Sequence, residues 1–259
     1  MSLQKSLFIL IILSSLSCTK KDSGKRNSVS RIAYTVQSSL PHDTKAFTEG
    51  LLIHNGQLYE STGQDGSWIG IVNPKTGSTD KKIVLPNEYF GEGITILNNK
   101  IYQLTYKSHK GFVYDLHSFK KLREFSYNTP GWGLTHDTRN LIMSDGSDQL
   151  YFLDTATLKV TRTIHVTDES GPLSDLNELE YIDGFIYANV WFTDRIVKID
   201  PETGSVKGII DLTVLCNDVR TRYSDAKELN GIAWYPATKK LLVTGKYWPL
   251  IYALQLKQK

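Results

Sequence analysis

Cysteine is almost missing from this chain, with only Cys18 and Cys216 among 259 residues. So few cannot supply a disulfide framework, and no Cys/His spacing has the form of a zinc site. The six histidines are scattered without a close pair at ligand spacing. Neither a glycine-rich phosphate loop nor a serine nucleophile elbow occurs, so nothing points to a P-loop nucleotide enzyme or an α/β-hydrolase. Charge of one sign is not gathered either: 30 Lys and Arg face 27 Asp and Glu, for a net +3 without long runs. That balance excludes the basic footprint of a nucleic-acid binder. From Ile32 onward helical periodicity is nearly absent. The exception is a weak stretch around Leu212 to Glu228, read as an insertion with a helical turn or two.

The apolar run Leu7 to Leu13 is too short to cross a bilayer. In MSLQKSLFILIILSSLSC it follows Lys5 and leads through small residues to Cys18, the layout of a signal peptide ending at a lipoprotein-type cysteine. Leu16 stands one place nearer the cysteine than the usual pattern, which leaves a plain secretory signal as the alternative. The expected organisation is a signal peptide over 1–17, a lipid-anchored flexible tether over 18–30, and one catalytic domain over 31–259. Such a chain would be a monomeric periplasmic or cell-envelope protein held to the membrane through Cys18.

What is abundant is the β-strand pattern. FTEGLLIHNGQLYES from Phe47, FGEGITILNNKIYQL from Phe90, PGWGLTHDTRNLIMS from Pro130, DLNELEYIDGFIYAN from Asp175 and ELNGIAWYPATKKLLVT from Glu228 recur every 40–53 residues. Each is an apolar strand, a tight polar turn and a second apolar strand. A third strand (GFVYDLHSF, QLYFLDTAT, RIVKIDPET) and a fourth (KKIVLP, KLREFSY, TRTIHVT) usually follow. Four antiparallel strands at this period make a β-propeller blade. The fifth repeat stops after LIYALQL, while SRIAYTVQSSLP precedes the first as an orphan strand. Pairing the two would close the ring and remove its exposed edges. The predicted fold is all-β, a five-bladed propeller closed by an N-terminal strand that completes the last blade.

Superposed, the repeats place unlike residues at one position of the channel-lining first strand: Glu49, Glu92, Trp132, Asn177 and Asn230. The apolar position that follows keeps its type, in Leu51, Ile94, Leu134, Leu179 and Ile232. A second ring, after the second strands, holds Tyr106, Asp145, Trp191 and Lys246, with Trp68 or Gln64 for the first blade. Polar groups bordered by aromatic ones suit a pocket for a small polar organic substrate. Each also has a plainer reading: hydrated channel residues for the polar ring, blade packing for Trp234 and Trp248, and a turn-former for Asp145 in SDGSD.

The motifs FTEGL, YESTG, FGEG, GWGLTHD, SDGSD, LNELEYI, ANVWFTD, LNGIAW and VTGKYWP, spread from His42 to Leu256, together resemble the plant- and bacterial-type glutaminyl-peptide cyclotransferases. The resemblance implies a five-bladed propeller that converts N-terminal glutamine of peptides to pyroglutamate with release of ammonia, with no cofactor and no catalytic metal. It implies Glu92 as the catalytic residue. It puts Asn177, Lys246 and the aromatic residues Phe47, Phe90, Trp132 and Trp191 around the substrate. Tyr106 stands where the family pattern has tryptophan, and Glu49 where the plant motif reads FTQGL. A second carboxylate there would bind the substrate ammonium or raise the pKa of Glu92 by like-charge repulsion.

The chemistry asks for these types. The α-amine must lose a proton to attack its own side-chain carbonyl, and the amide nitrogen must gain one to leave; one carboxylate can do both. Glu92 stands at a strand mouth, where the propeller axis would place a substrate and the glycines of FGEG would leave room for it. Two rivals stay open. Glu49, Glu92, Asn177 and Asn230 are oxygen donors that would suit Ca²⁺ in a metal-dependent lactonase or esterase, although Lys246 is an awkward neighbour. The other rival is a propeller that binds peptide or glycan without turnover.

Overall fold

The computed structural model describes residues 29–64 and 66–257. The signal peptide, Cys18 and nearly all of the tether therefore lie outside the described residues.

Five four-stranded antiparallel units follow one another. Blade 1 is Thr48–His54, Gln57–Thr62, Trp68–Val72 and Thr79–Val84, and blade 2 is Gly91–Leu97, Lys100–Thr105, Lys110–Asp115 and Lys121–Ser126. Blade 3 is Leu134–His136, Asn140–Ser144, Gln149–Asp154 and Val160–His165; blade 4 is Leu176–Ile182, Phe185–Val190, Arg195–Ile199 and Val206–Asp211. Blade 5 takes three strands from the C-terminal end, Leu229–Tyr235, Lys240–Gly245 and Leu250–Leu256, and its outer strand, Tyr34–Pro41, from the N-terminal side. This is the closure expected of SRIAYTVQSSLP, with one correction. The segment is not a single strand: Ser30–Arg31 adds in parallel to the outer edge of blade 4, and only Tyr34–Pro41 joins blade 5. The register forces the split, because Ile32 N–H still donates to the Ile209 carbonyl of blade 4 at 2.8 Å.

Local sequence explains the hairpins. Asn55-Gly56, Asn98-Asn99 and Asp183-Gly184 hold positive φ at both turn positions, the geometry whose twist matches antiparallel strands. Between third and fourth strands Asn73, Asp115, Asp154 and Asp200 turn the chain by accepting N–H groups two or three residues on. The apolar alternation is used on both faces, since each blade packs on two neighbours. Five buried clusters result among the described residues, each lying between adjoining blades. The cluster of Leu51, Leu58 and Val72 with Ala233, Leu242 and Ile251 joins blade 1 to blade 5, so the ring is sealed by side chains as well as strands.

The stretch with weak helical pattern is a helix of ten residues, Thr213–Arg222, inserted between blades 4 and 5. It is longer than the expected turn or two. Leu215, Cys216 and Val219 anchor it in the blade 4–blade 5 core, and Asp211 accepts from Thr213 N–H and Oγ1 at its start. Tertiary docking, not the sequence's own helical period, supplies the stability of so short an element.

Candidate active site

The odd residues of the first strands are aimed by the backbone. In four blades the register slips between Thr48 and Gly50, Gly91 and Ile94, Leu176 and Leu179, and Leu229 and Ile232. The residues inside these slips include Glu49, Glu92, Asn177 and Asn230. A β-bulge re-aims a side chain out of the pleat, here toward the axis. Glycine follows in four blades for a packing reason. A Cβ on Gly93 would lie 2.5 Å from Leu134 N and 2.6 Å from Trp132 O, and one on Gly133 2.1 Å from Asn177 O. The bare backbone after Glu92 therefore admits the next blade. It does not make space for a substrate, which corrects the simplest reading of FGEG.

Blades 1 and 5 meet in a buried ion pair. Lys246 Nζ lies 2.8 Å from Glu49 Oε1, while Asn230 Nδ2 donates to Glu49 Oε2 at 2.9 Å and to the Thr48 carbonyl at 3.0 Å. Lys246 Nζ also sits 4.3 Å from the centroid of the Phe47 ring. Burial pushes Glu49 up to about 7, Lys246 opposes that by charge and hydrogen bond, and the Glu228 charge adds to it. Glu92 is 5% exposed, and no hydrogen bond to its carboxylate occurs among the described residues. Burial raises its pKa well above the ordinary value, the Glu49 charge raises it further, and Lys246 draws it back. Its backbone is held separately: Ser61 Oγ donates to the Glu92 carbonyl at 2.6 Å, and Gln103 Nε2 donates to Ser61 Oγ. The site therefore favours the protonated form of this carboxyl, which makes Glu92 the candidate proton carrier.

Aromatic rings border the mouth in sequence around the axis. Tyr247 meets Phe47 at 5.2 Å, Phe47 meets Phe90 at 6.0 Å, and Phe90 meets Tyr106 at 5.8 Å. Tyr106 meets Trp132 at 6.3 Å, Trp132 meets Trp191 at 5.2 Å, and Trp191 stacks on Phe192 at 3.9 Å. Two glycines are required here. A Cβ on Gly63 would enter the Phe90 ring at 2.3 Å, and one on Gly146 the Trp132 indole at 2.7 Å. Unsatisfied polar atoms gather at the same end: Trp132 Nε1, Asn177 Oδ1 and Asn230 Oδ1 are buried without a partner. Such atoms are rare in proteins and call for a partner, either water or a bound ligand.

Trp248 lies in the blade 4–blade 5 core with Trp234 against it, as blade packing predicts, and the Asp145 carboxylate accepts from Ser147 and Tyr151 and so forms a turn. The first-blade place expected to hold Trp68 or Gln64 falls on Gly63, whose N–H donates to the Phe47 carbonyl as those of Tyr106, Trp191 and Lys246 donate to the Phe90, Asp175 and Glu228 carbonyls; Gln64 comes next and accepts from the Tyr247 hydroxyl at 2.7 Å. Sequence reasoning missed Tyr247 and Phe192, although each directly follows a residue of the second ring. It also missed a layer of buried carboxylates. Glu178, 0% exposed, accepts backbone N–H groups from Leu51 at 3.3 Å and Ile232 at 2.7 Å, tying three blades together. Glu180 accepts Trp234 N–H at 2.8 Å. Glu60 accepts Thr48 Oγ1 at 2.7 Å and is 3.0 Å from His42 Nε2.

These groups set a pH dependence of stability. Burial lifts Glu180 to about 8, and lifts Glu178 well above its ordinary value against the pull of its two N–H partners. A carboxyl whose folded pKa is raised binds its proton more tightly folded than unfolded. The stability it contributes is complete below its unfolded value near 4.5 and is lost as pH rises through the folded one. His136, lowered by burial, works the other way below about pH 6.5. The expected result is a melting temperature that falls between pH 6.5 and 8 and falls less in Glu180→Gln, read by thermal unfolding at both values.

The metal alternative meets an obstacle in this geometry. The Lys246 ammonium occupies the side of Glu49 that a Ca²⁺ would need, and no cluster of three His, Cys, Asp or Glu suited to a metal occurs among the described residues.

Comparison with known proteins agrees with the architecture. The profile of the glutamine cyclotransferase family matches residues 8–256. An Arabidopsis thaliana glutaminyl-peptide cyclotransferase is 40% identical over 227 residues, covering 86% of this chain and 71% of that protein. The crystal structure of Myxococcus xanthus glutaminyl cyclase superposes with a TM-score of 0.84 at 31% identity, over 89% of this chain and 99% of that one. The WD40 propeller domain of Doa1, 15% identical with a TM-score of 0.50, shares the propeller fold alone. A profile match over nearly the whole chain, a relative at this identity and a superposition at this score agree: the chain belongs to the glutamine cyclotransferase family.

Proposed function

We propose that this chain is a glutaminyl-peptide cyclotransferase, converting the N-terminal glutamine of peptides to pyroglutamate and ammonia, with Glu92 as general acid and base. The observation that carries this reading is a protonatable carboxyl on a bulge, beside the Glu49–Lys246 pair and under an aromatic arc. The α-amine nitrogen attacks the side-chain amide carbon. A C–N bond forms and closes the five-membered lactam, Glu92 takes the amine proton, and the collapsing intermediate breaks its bond to the amide nitrogen. Glu92 returns the proton to that nitrogen, which leaves as ammonia. The Trp132 indole N–H and the Asn177 side-chain N–H are the donors for the oxygen on which negative charge develops, while Asn177 Oδ1 suits an N–H of the substrate. Phe47, Phe90, Tyr106 and Trp191 fold the glutamine side chain back on its own amine, which raises the effective concentration of the nucleophile.

Glu49 and Lys246 tune the acid and base rather than replace it. Glu49→Gln removes the like charge that raises Glu92 and leaves Lys246 acting on Glu92 alone. Both changes lower the Glu92 pKa. The acid limb of kcat/KM is therefore expected to move to lower pH in this variant, as read from a pH–rate profile with a Gln-initiated peptide. An unchanged limb would remove Glu49 from the electrostatics of the site.

The activity is tested by ammonia release from a Gln-initiated dipeptide amide in the presence of EDTA. Turnover supports the reading. No ammonia release above the spontaneous rate would move the metal-dependent lactonase or esterase and the peptide-binding platform ahead. We also propose export, lipidation at Cys18 and a monomeric state in the cell envelope. The support is the Lys5, apolar run and Cys18 layout of residues 1–18. Membrane fractionation of wild type and Cys18→Ser tests it.

A further inference from the structure

The aromatic arc is not a closed ring. It runs from Tyr247 round to Phe192, and among the described residues no ring pair joins its two ends. The opening lies between blades 4 and 5, where the helix Thr213–Arg222 and the segment after it are inserted. A cavity of about 470 Å³ lies there, lined by Phe192, Thr193, Asp194, Arg220, Lys227 and Glu228. Lys227 reaches from it back to the arc, its Nζ 5.4 Å from the centroid of the Tyr247 ring.

Folding alone does not account for these side chains. Phe192 is 71% exposed, an apolar ring left in solvent at the rim of the cavity. Its φ of +57° belongs to the fold, since Gln64, Gly146 and Tyr247 also take positive φ two residues after the second strands of their blades. The charges match in number, Asp194 and Glu228 against Arg220 and Lys227, but not in pairing. Asp194 is taken by Arg220 in a two-pronged pair at 2.7 and 2.9 Å. Glu228 lies close enough to Glu49 to raise its pKa. Lys227 has no carboxylate partner among the described residues. Its backbone is fixed, however: its N–H donates to the Lys246 carbonyl at 2.9 Å, and its carbonyl accepts Trp248 Nε1 at 2.9 Å.

An N-terminal glutamine seated under the arc carries the rest of its peptide on its carbonyl, and the gap in the aromatic wall offers that chain a way out. We propose that the opening is the exit subsite. Phe192 seats the side chain of the second residue against its ring, and Lys227 binds a carboxylate on the third. The substrates favoured are peptides with an apolar second residue followed by an acidic one. This rests on the cyclotransferase reading.

The test compares kcat/KM at low ionic strength for Gln-Phe-Glu amide, Gln-Phe-Lys amide and Gln-Ser-Glu amide in wild type, Lys227→Glu and Phe192→Ser. Ratios between peptides within one variant do not depend on how much of it is folded. Wild type should prefer Glu over Lys by about fivefold, a ratio that shrinks with salt. Lys227→Glu should invert that ratio, and Phe192→Ser should erase the preference for Phe over Ser. Ratios that stay at wild-type values in both variants overturn the subsite. Equal kcat/KM for all three peptides in wild type overturns the subsite alone, whereas absence of turnover with these peptides and with glutamine amide overturns the cyclotransferase reading as well.

Discussion

Glu92→Gln loses about 10²–10⁴-fold in kcat/KM on a Gln-initiated peptide, the range expected when a positioned proton carrier is removed. The amide keeps the shape and the backbone hydrogen bond from Ser61, so the loss is chemical rather than structural. Stability distinguishes this from damage. Wild-type Glu92 is destabilised in its charged form by burial and by Glu49, and a neutral amide escapes both penalties. Glu92→Gln should therefore unfold at equal or higher denaturant than wild type at pH 8. Gains in stability on removing a functional group are a known mark of active sites. An inactive variant that is also less stable would point to a structural role instead.

Lys246→Met acts in the opposite direction on stability. It strands Glu49 with only the amide of Asn230, deep between blades 1 and 5. Breaking one side of a buried ion pair costs about 3–5 kcal/mol, because the remaining charge is left uncompensated. Urea unfolding reads this directly. The double variant Glu49→Gln/Lys246→Met should recover a large part of the loss, since neighbours in one pair are not additive. Lys246 also lowers the pKa of both carboxyls, so the acid limb of the remaining activity should move to higher pH. Full additivity in the double variant would mean that the pair does not act as a unit.

The propeller was legible because its signals are local and repeated. Hairpin turns such as Asn55-Gly56, apolar alternation, and an outer strand missing from one end and orphaned at the other all survive in a one-dimensional reading. The site was half legible for the same reason. Glu92 and Asn177 stand out because their position holds two carboxylates, an indole and two amides around the ring, whereas the next position stays apolar in every repeat. What stayed hidden depends on backbone register or on ring closure. A bulge leaves no mark in the alternation of FGEGITIL, so its glycine looked like room for a ligand when it is room for blade 3. Glu178 in LNELEYI looks like an ordinary outward residue, yet it caps N–H groups of blades 1 and 5. The Glu49–Lys246 pair joins the first repeat to the last, and no spacing rule connects them. The split of the N-terminal strand between blades 4 and 5 was likewise a matter of register.

The most direct test of the central claim is a mass-spectrometric time course of a Gln-initiated peptide with purified wild-type protein and with Glu92→Gln, each against a protein-free control. The account predicts that wild type converts the peptide to its pyroglutamyl form with one ammonia released per molecule, and that Glu92→Gln barely exceeds the spontaneous rate. A folded Glu92→Gln variant that cyclises the peptide at the wild-type rate would contradict it.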